Sequence, residues 1–520
     1  MGIGSIFKIK SQAEVFYDIP TKKASTSKNF KYIIKSDTEI VPNIKKSNKR
    51  RWLMILTLGL LLISAAILIV SLLYQLKHKE KDQIPYPDPD LQIPTTTEPI
   101  AGQNVTIGSR GKGFIVLFTK SVIHSTNNVY ITSENGVQMN MSTSPHLDAS
   151  IKSQIDRSVN IPSSQHIILP SELELQSFRK EVKSVLIETS SDVFVISHDD
   201  GAASVGSTTH IPLHKLSNKY VVVSTEPETT WPSQFAVTAT EDNTTISIIF
   251  KMKRNLPLYF DGNTFYNGGV YNFSLERFET YQIEHSTDLT GTIIESSRPI
   301  AAFSGNDCNK LENIGACDHL IEQLPPTDSV DNTYIVLPNM NDRDTLIRIT
   351  AIENANITYM IGSVTRTLSL YKSDSFDTKI SSSQTCFIKS ETPILVTAFG
   401  LQSSSSTLGD PSMTIVPGLK QYLDYYKIVV PAGYDHNYVS IMIESSEKES
   451  LRINGALINT GDIVFEEDVS AGNDTYNVRS IRVSEGELTA STVNGERFGL
   501  MFAGITEYEA YGFSGNSMLL

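Results

Sequence analysis

At roughly 150 residues per domain, a chain of 520 residues has room for three to four domains and a sizeable core. Hydrophobic residues at 40% and charged residues at 19% exclude a disordered chain, 30 Gly and 22 Pro exclude a collagen-like one, and three Cys exclude a disulfide-dense scaffold. The formal charge of −13 argues against nucleic acid as a partner, but it is unevenly divided: residues 1–51 hold 12 Lys+Arg against 4 Asp+Glu, and the rest hold 32 against 53.

The basic first segment, residues 1–51, shows little periodicity and reads as a disordered tail; its start, MGIGSI, lacks the Ser or Thr that N-myristoylation requires at position 6. Trp52 to Tyr74 then runs 23 residues without a charge, enough for a helix of roughly 35 Å across a hydrocarbon core of about 30 Å. Interfacial aromatics stand at both ends, and 51 preceding residues argue against a cleaved signal peptide, so the segment reads as a signal-anchor in the lipid bilayer. Lys45, Lys46, Lys49, Arg50 and Arg51 precede it and a diluted charge run follows, which predicts a cytoplasmic N-terminus and an extracellular remainder: a single-pass type II plasma-membrane protein. Residues 75–103 are rich in Pro and Thr and read as an extended stalk. Six Asn-x-Ser/Thr acceptors, Asn104, Asn140, Asn243, Asn272, Asn356 and Asn473, all follow the span, as N-glycosylation outside the cell requires.

From residue 104 the texture changes to short β-branched and aromatic runs such as FIVLF, YVVVS, TISIIF and YVSIMI, separated by Asn, Asp, Gly and Ser. Only Pro170–Glu181 suggests a helical turn or two. Internal similarity carries more information. One word recurs as VLIETSSDVFVISHDDG from Val185, IIESSRPIAAFSG from Ile293, CFIKSETPILVTAFG from Cys386 and, diverged, FAGITEYEAYGFSG from Phe502; it aligns Phe194, Phe303, Phe399 and Phe513. A second word precedes each copy, near Phe114, Tyr220, Tyr334 and Tyr426. The expectation is an all-β region of four tandem β-sandwich-like repeats of about 100 residues, at 104–204, 205–308, 309–405 and 406–520. A propeller-like arrangement is the alternative, although blades usually need only about 40–50 residues.

Catalytic and cofactor motifs are missing: there is no HExxH, GxSxG, P-loop or GxGxxG, so no cofactor, metal or catalytic residue is assigned and the chain is read as non-enzymatic. HDDG at His198 and NMNDRD at Asn339 cluster carboxylates with amides as calcium loops do, but turns between strands use the same residues, and the turn reading is preferred. Cys308 and Cys317, in an exposed-looking loop of an oxidising compartment, are assigned a disulfide, and Cys386, in an apolar strand, a buried free thiol.

Phe303 to Asn339, FSGNDCNKLENIGACDHLIEQLPPTDSVDNTYIVLPN, closely resembles the signature region of the IgG Fc-binding protein N-terminal domain family. PIAAFSG, the cysteine soon after it, CDHLIEQLPP with its counterpart PSMTIVPG, and the TAxEDNTxI pattern all contribute, and the resemblance covers about residues 120–515. It implies an extracellular binding or adhesion domain, here on a membrane-anchored chain that reaches Leu520 without von Willebrand type D domains. The expected partner is an extracellular glycoprotein or surface polymer, with homophilic adhesion or a structural spacer as the rival reading and an ectoenzyme ranked below it, and the ligand-binding residues are unknown.

Overall fold

A computed structural model describes residues 109–122, 126–201, 204–227, 231–312, 317–515 and 517–519. The tail, the expected span Trp52–Tyr74, the stalk and Asn104 lie outside these residues, and no helix among them is long and apolar enough to cross a membrane. Gly102–Leu520 forms one compact body. It is all-β apart from short helical turns: Ser171–Leu173 supplies the turn expected after Pro170, and the seven-residue helix Ala149–Ile155, capped by Asp148, has no counterpart in the sequence reading.

One pairing scheme organises the strands, and it is simplest around residue 350. Thr333–Val336 and Ala355–Ile361 flank Cys386–Ser390 in one four-stranded sheet; Arg343–Ala351 and Ser412–Ile415 flank Ile394–Ser403 in another. Side chains of both sheets, including Tyr334, Ile357 and Ile388 from the first and Ile347, Ile349 and Val396 from the second, fill one core. Around Ile293–Asn309 the scheme recurs with a single long strand in place of two. Ser217–Val221 and Thr244–Ile249 pair with its first half, Ser233–Ala239 and Asp318–Gln323 with its second. Val185–Asp200 serves Gly111–Val116, Val137–Thr143, Thr126–Thr132 and Val205–Thr209 in the same way. Tyr425–Val430 and Leu451–Ile453 flank Gly486–Thr492, while His436–Glu444 and Glu509–Ser514 flank Gly499–Thr506. The recurring sequence word thus has a physical cause: an apolar half in each sheet, joined by a polar corner such as Glu295–Pro299 that bends at the surface.

Three buried tyrosines mark equivalent positions in these units. The Tyr220 hydroxyl accepts from the Ser217 amide at 3.0 Å and donates to the Ile300 carbonyl at 2.6 Å. Tyr334 does the same with Asp331 and Ile394, and Tyr426 with Leu423 and Phe498. Phe114 holds the corresponding place in the first unit without a hydroxyl. Ile300, Ile394 and Phe498 are therefore equivalent, which places Phe399 two residues beyond the equivalent of Phe303 and corrects the fourth copy by a whole strand. Its counterpart of the Phe303 and Phe399 strands is Gly499–Thr506, and Phe513 sits one strand later, paired with Phe502. Unit boundaries shift likewise. Val205–Thr209, Asp318–Gln323 and Ser412–Ile415 each pair with the strand before them, so the first three units end one strand later than the spacing of sequence words suggests.

These last strands are also what joins the units. Val205–Thr209 packs against Asp318–Gln323 and Glu509–Ser514, and Ser412–Ile415 packs against the same two, so four inner strands close a ring. Apolar seams reinforce it: Ile115 and Ile211 meet Phe303 and Ile321; Val223 and Leu320 meet Phe399 and Met413; Leu337 meets Tyr422 and Met442; Ile196 and Val205 join the core of the fourth unit. At the first-to-fourth seam the Ser109 amide donates to the Ser517 carbonyl at 2.9 Å.

Candidate functional site

The inner strands read VGSTT, DHLIEQ, SMTI and EAYGFS, unusually polar for buried β structure. Their polar atoms bond across units. Asp318 accepts the Val205 amide on one oxygen and the Ala510 amide on the other, both at 3.0 Å, tying the second unit to the first and fourth. Glu322 accepts the Thr208 hydroxyl at 2.7 Å and the Ile415 amide at 3.0 Å, tying it to the first and third. Thr209 donates to the Ser514 carbonyl at 2.6 Å. Burial pushes the Glu322 carboxyl up to about 8 despite these donors.

Cys308 and Cys317 are bonded, with Cα atoms 5.4 Å apart, and close the connection between Ile293–Asn309 and the inner strand that starts at Asp318. Both are buried, whereas the sequence suggested an exposed loop, because the hairpin they staple packs into the ring. Replacing both (Cys308→Ser with Cys317→Ser) is expected to cost about 2–3 kcal/mol, the loop-closure entropy of so short a loop. A lower urea midpoint at unchanged slope measures it; an unchanged midpoint refutes it. Cys386 is the free cysteine, wholly buried in the third core, its thiol pushed up to about 12 by burial.

One constellation has the connectivity of a nucleophile, a base and an orienting carboxylate. His319 Nδ1 is hydrogen-bonded to Asp199 Oδ2, and His319 Nε2 lies 3.0 Å from Thr119 Oγ1. Burial alone would lower this imidazole, but Asp199 and then Asp307 outweigh it and the net shift is upward. Thr119, Asp199 and His319 are all buried in the seam between the first two units, and no groove described here opens onto them. Chemistry would need a reacting atom near the hydroxyl; the bonds that His319 makes here join the second unit to the first. The HDDG segment is absorbed in the same way: His198 bonds Ser207 at 2.6 Å and Tyr434 at 3.2 Å, and burial lowers its imidazole to about 4. In NMNDRD, Asn341 and Asp342 take left-handed turn geometry and Arg343 is buried. No group of His, Cys, Asp or Glu among the described residues is placed to hold a metal.

The larger concavities lie on outer sheet faces and carry sequon asparagines. A groove of about 520 Å³ includes Asn272 with Ser247 and Glu295; another of about 700 Å³ includes Asn356 with Ser369 and Glu391. Asn140 occupies the position of Asn356 in the first unit: Ser158 donates to Asn140 Oδ1 at 2.6 Å, as Ser369 does to Asn356 Oδ1 at 2.8 Å. Asn243 and Asn473 are also exposed, in or beside turns. A different surface appears on a hairpin particular to the second unit, Leu258–Phe260 with Asn263–Phe265. Phe260 stacks on Phe178 and Phe265 at 5.2 and 4.8 Å and anchors it, leaving Tyr259 67% and Tyr266 53% exposed. Sequence reasoning missed both this hairpin and the polar ring. The cue for the ring was polar residues in otherwise apolar repeat ends; for the hairpin, a length difference between units.

Interlocked β units, exposed loops and closed polar seams define a multi-unit β scaffold whose accessible features are surfaces. The sequence profile of the IgGFc binding protein family matches residues 206–504, more than half of the chain. The chain belongs to this family. The human IgGFc-binding protein is 26% identical over 249 residues, 45% of this chain and 4% of that protein, so the chain spans only a small fraction of its relative's length. Among solved structures, the major pilin of Streptococcus pyogenes aligns over 78% of this chain and 98% of its own at 6% identity with a TM-score of 0.13, and a calcium-stabilised ice-binding adhesin of an Antarctic bacterium over 79% and 99% at 10% identity with a TM-score of 0.10. Likenesses this weak carry no functional argument.

Proposed function

We propose that this protein is a cell-surface recognition glycoprotein, anchored through Trp52–Tyr74 with its C-terminal region outside, whose ring of four sandwich-like repeats binds an extracellular glycoprotein or polymer without chemistry. Membership of the IgGFc binding protein family carries the reading. N-glycans on Asn272 and Asn356 would occupy the outer sheet grooves, and the exposed Tyr259 and Tyr266 then become the contact surface of choice. Rigid tyrosines on an anchored hairpin give large contact area at little entropic cost.

The test displays the full chain on cells and offers labelled mucin glycoprotein, labelled immunoglobulin Fc fragment and cells bearing the same chain. Saturable binding of either soluble glycoprotein, weakened about tenfold by Tyr259→Ser with Tyr266→Ser at unchanged thermal stability, supports the proposal. Clustering of the displaying cells with one another, without soluble binding, replaces it with homophilic adhesion.

A further inference from the structure

On the outer face of the third unit a sequon asparagine stands beside an exposed aromatic ring. Asn356 pairs with Ser369 across the strands Ala355–Ile361 and Val364–Leu370, and one step beyond the last pair the same register sets Asn354 against Tyr371. Side chains alternate along a strand, so Asn354, Asn356, Ser369 and Tyr371 share one face, with Asn356 and Tyr371 as diagonal neighbours at a spacing of roughly 7–8 Å. All four line a groove of about 270 Å³, at whose end Tyr371 is 77% exposed.

Both partners are held in place. Asn356 Oδ1 accepts from the Ser369 hydroxyl at 2.8 Å, and Asn356 Nδ2 donates to Glu391 at 2.9 Å. An amide nitrogen carries two hydrogens, so one is left for replacement. Asn354 Oδ1 accepts the Lys372 amide at 2.9 Å, the Ser373 amide donates to the Ala351 carbonyl at 2.8 Å and the Asp374 amide to the Tyr371 carbonyl at 2.9 Å, which pins the turn that carries Tyr371. Asn140 supplies an internal comparison. It accepts from Ser158 as Asn356 does from Ser369, but the place of Tyr371 is taken there by Asn160.

We propose that the N-glycan of Asn356 is a structural part of the third unit, its first sugar stacked on the Tyr371 ring. This rests on the reading of the C-terminal region as extracellular. Attachment replaces one hydrogen of Asn356 Nδ2 with the anomeric carbon of a lipid-diphosphate-linked oligosaccharide; the carbon–oxygen bond to the diphosphate breaks, the lipid diphosphate leaves with that electron pair, and the amide proton passes to solvent. Covalent tethering then keeps a sugar in this groove at high effective concentration. The C–H face of a pyranose carries a small positive charge and complements the negative face of an aromatic ring. Val364–Leu370 is the outermost strand of its sheet and is exposed along most of its length, so a sugar held here also covers part of a free strand edge.

The experiment takes the full chain from a eukaryotic secretory host, purified in detergent, as parent, Tyr371→Ala, Thr358→Val and the two combined. Thr358→Val ends the sequon while keeping Asn356, its two bonds and a β-branched side chain on the strand. Mass spectrometry reads the sugar on each acceptor, circular dichroism the thermal midpoint, and a glycosidase the rate of glycan release from the native protein. Asn356 should be modified, and each single change should lower the midpoint by on the order of 2 °C, with the combination no worse than either alone. Release at Asn356 should be several-fold slower than at Asn140, and Tyr371→Ala should remove that difference. Midpoint losses that add, or equal release at the two sites in the parent, overturn the inference. So does an unmodified Asn356 beside a modified Asn140, which leaves the extracellular reading standing; no sugar on any acceptor overturns that reading as well.

Discussion

Gly305→Ala is expected to prevent the ring from assembling. Gly305 sits in Ile293–Asn309 against the inner strand Asp318–Gln323, and a Cβ there would lie 1.8 Å from the Leu320 carbonyl oxygen and 2.5 Å from its carbon. Both atoms are backbone, so relief requires the inner strand to move. That strand carries Asp318 and Glu322, whose bonds reach the other three units, and its displacement breaks contacts on every side. The expected cost exceeds about 4 kcal/mol, the range of severe packing failures, and should appear as loss of folded protein at the cell surface. Gly262→Ala is the control: Gly262 has φ +68°, with nothing within 4 Å of its would-be Cβ. Only backbone strain of about 1 kcal/mol is expected there. Equal yields of the two variants would show that the inner strand is free to shift.

Arg348→Met is expected to loosen the second unit from the third by about 3–5 kcal/mol. The Arg348 guanidinium is bidentate on Asp377, at 2.8 and 2.7 Å, within its own unit, and reaches across the seam to Asp288 at 2.7 Å, Thr290 at 2.9 Å and the Ser224 carbonyl. Burial alone would raise the Asp288 carboxyl, but Arg348 and the Thr290 and Ser224 donors hold it below the usual range. Without the guanidinium a buried carboxylate is left without its counter-charge, which costs more than the pair itself contributes. Adding Asp288→Asn to Arg348→Met should therefore recover part of the loss in a double-mutant cycle of urea unfolding. Strictly additive losses would mean that the two residues act separately. The Asp288 contribution is present above the unfolded pKa near 4 and lost as pH falls through the lowered folded value, opposite in sign to the raised Glu322.

Much of the β architecture was legible because its determinants are local. Alternating apolar runs, polar corners and Asn- or Asp-rich turns give strands and their order, and the words around Tyr220, Tyr334 and Tyr426 mark equivalent places. Register in the fourth unit was not legible. Phe502 and Phe513 stand on adjacent paired strands, and both suit an apolar slot aligned by similarity alone; only the Tyr426 hydroxyl on the Phe498 carbonyl distinguishes them. Closure of the ring was hidden for a different reason. Its bonds join residues far apart in sequence, such as Thr209 with Ser514 and Asp318 with Ala510, and residues like Thr209 carry no local signal that their partners lie in another unit. His319 shows the same limit, since its neighbours Thr119 and Asp199 come from the preceding unit.

Ring closure also sets a timetable for synthesis. Val205–Thr209 can meet Glu509–Ser514 only after about 300 further residues have been made, a wait of roughly 15 to 60 s at 5–20 residues per second. An unfinished chain must keep that edge from pairing with a neighbouring nascent chain. Ser207, Thr208 and Thr209, which end buried and bonded, are hydrated and unattractive to apolar surfaces until then. The polarity that joins the finished ring thus doubles as protection for the half-made one, and an all-valine inner strand would be expected to aggregate on the ribosome.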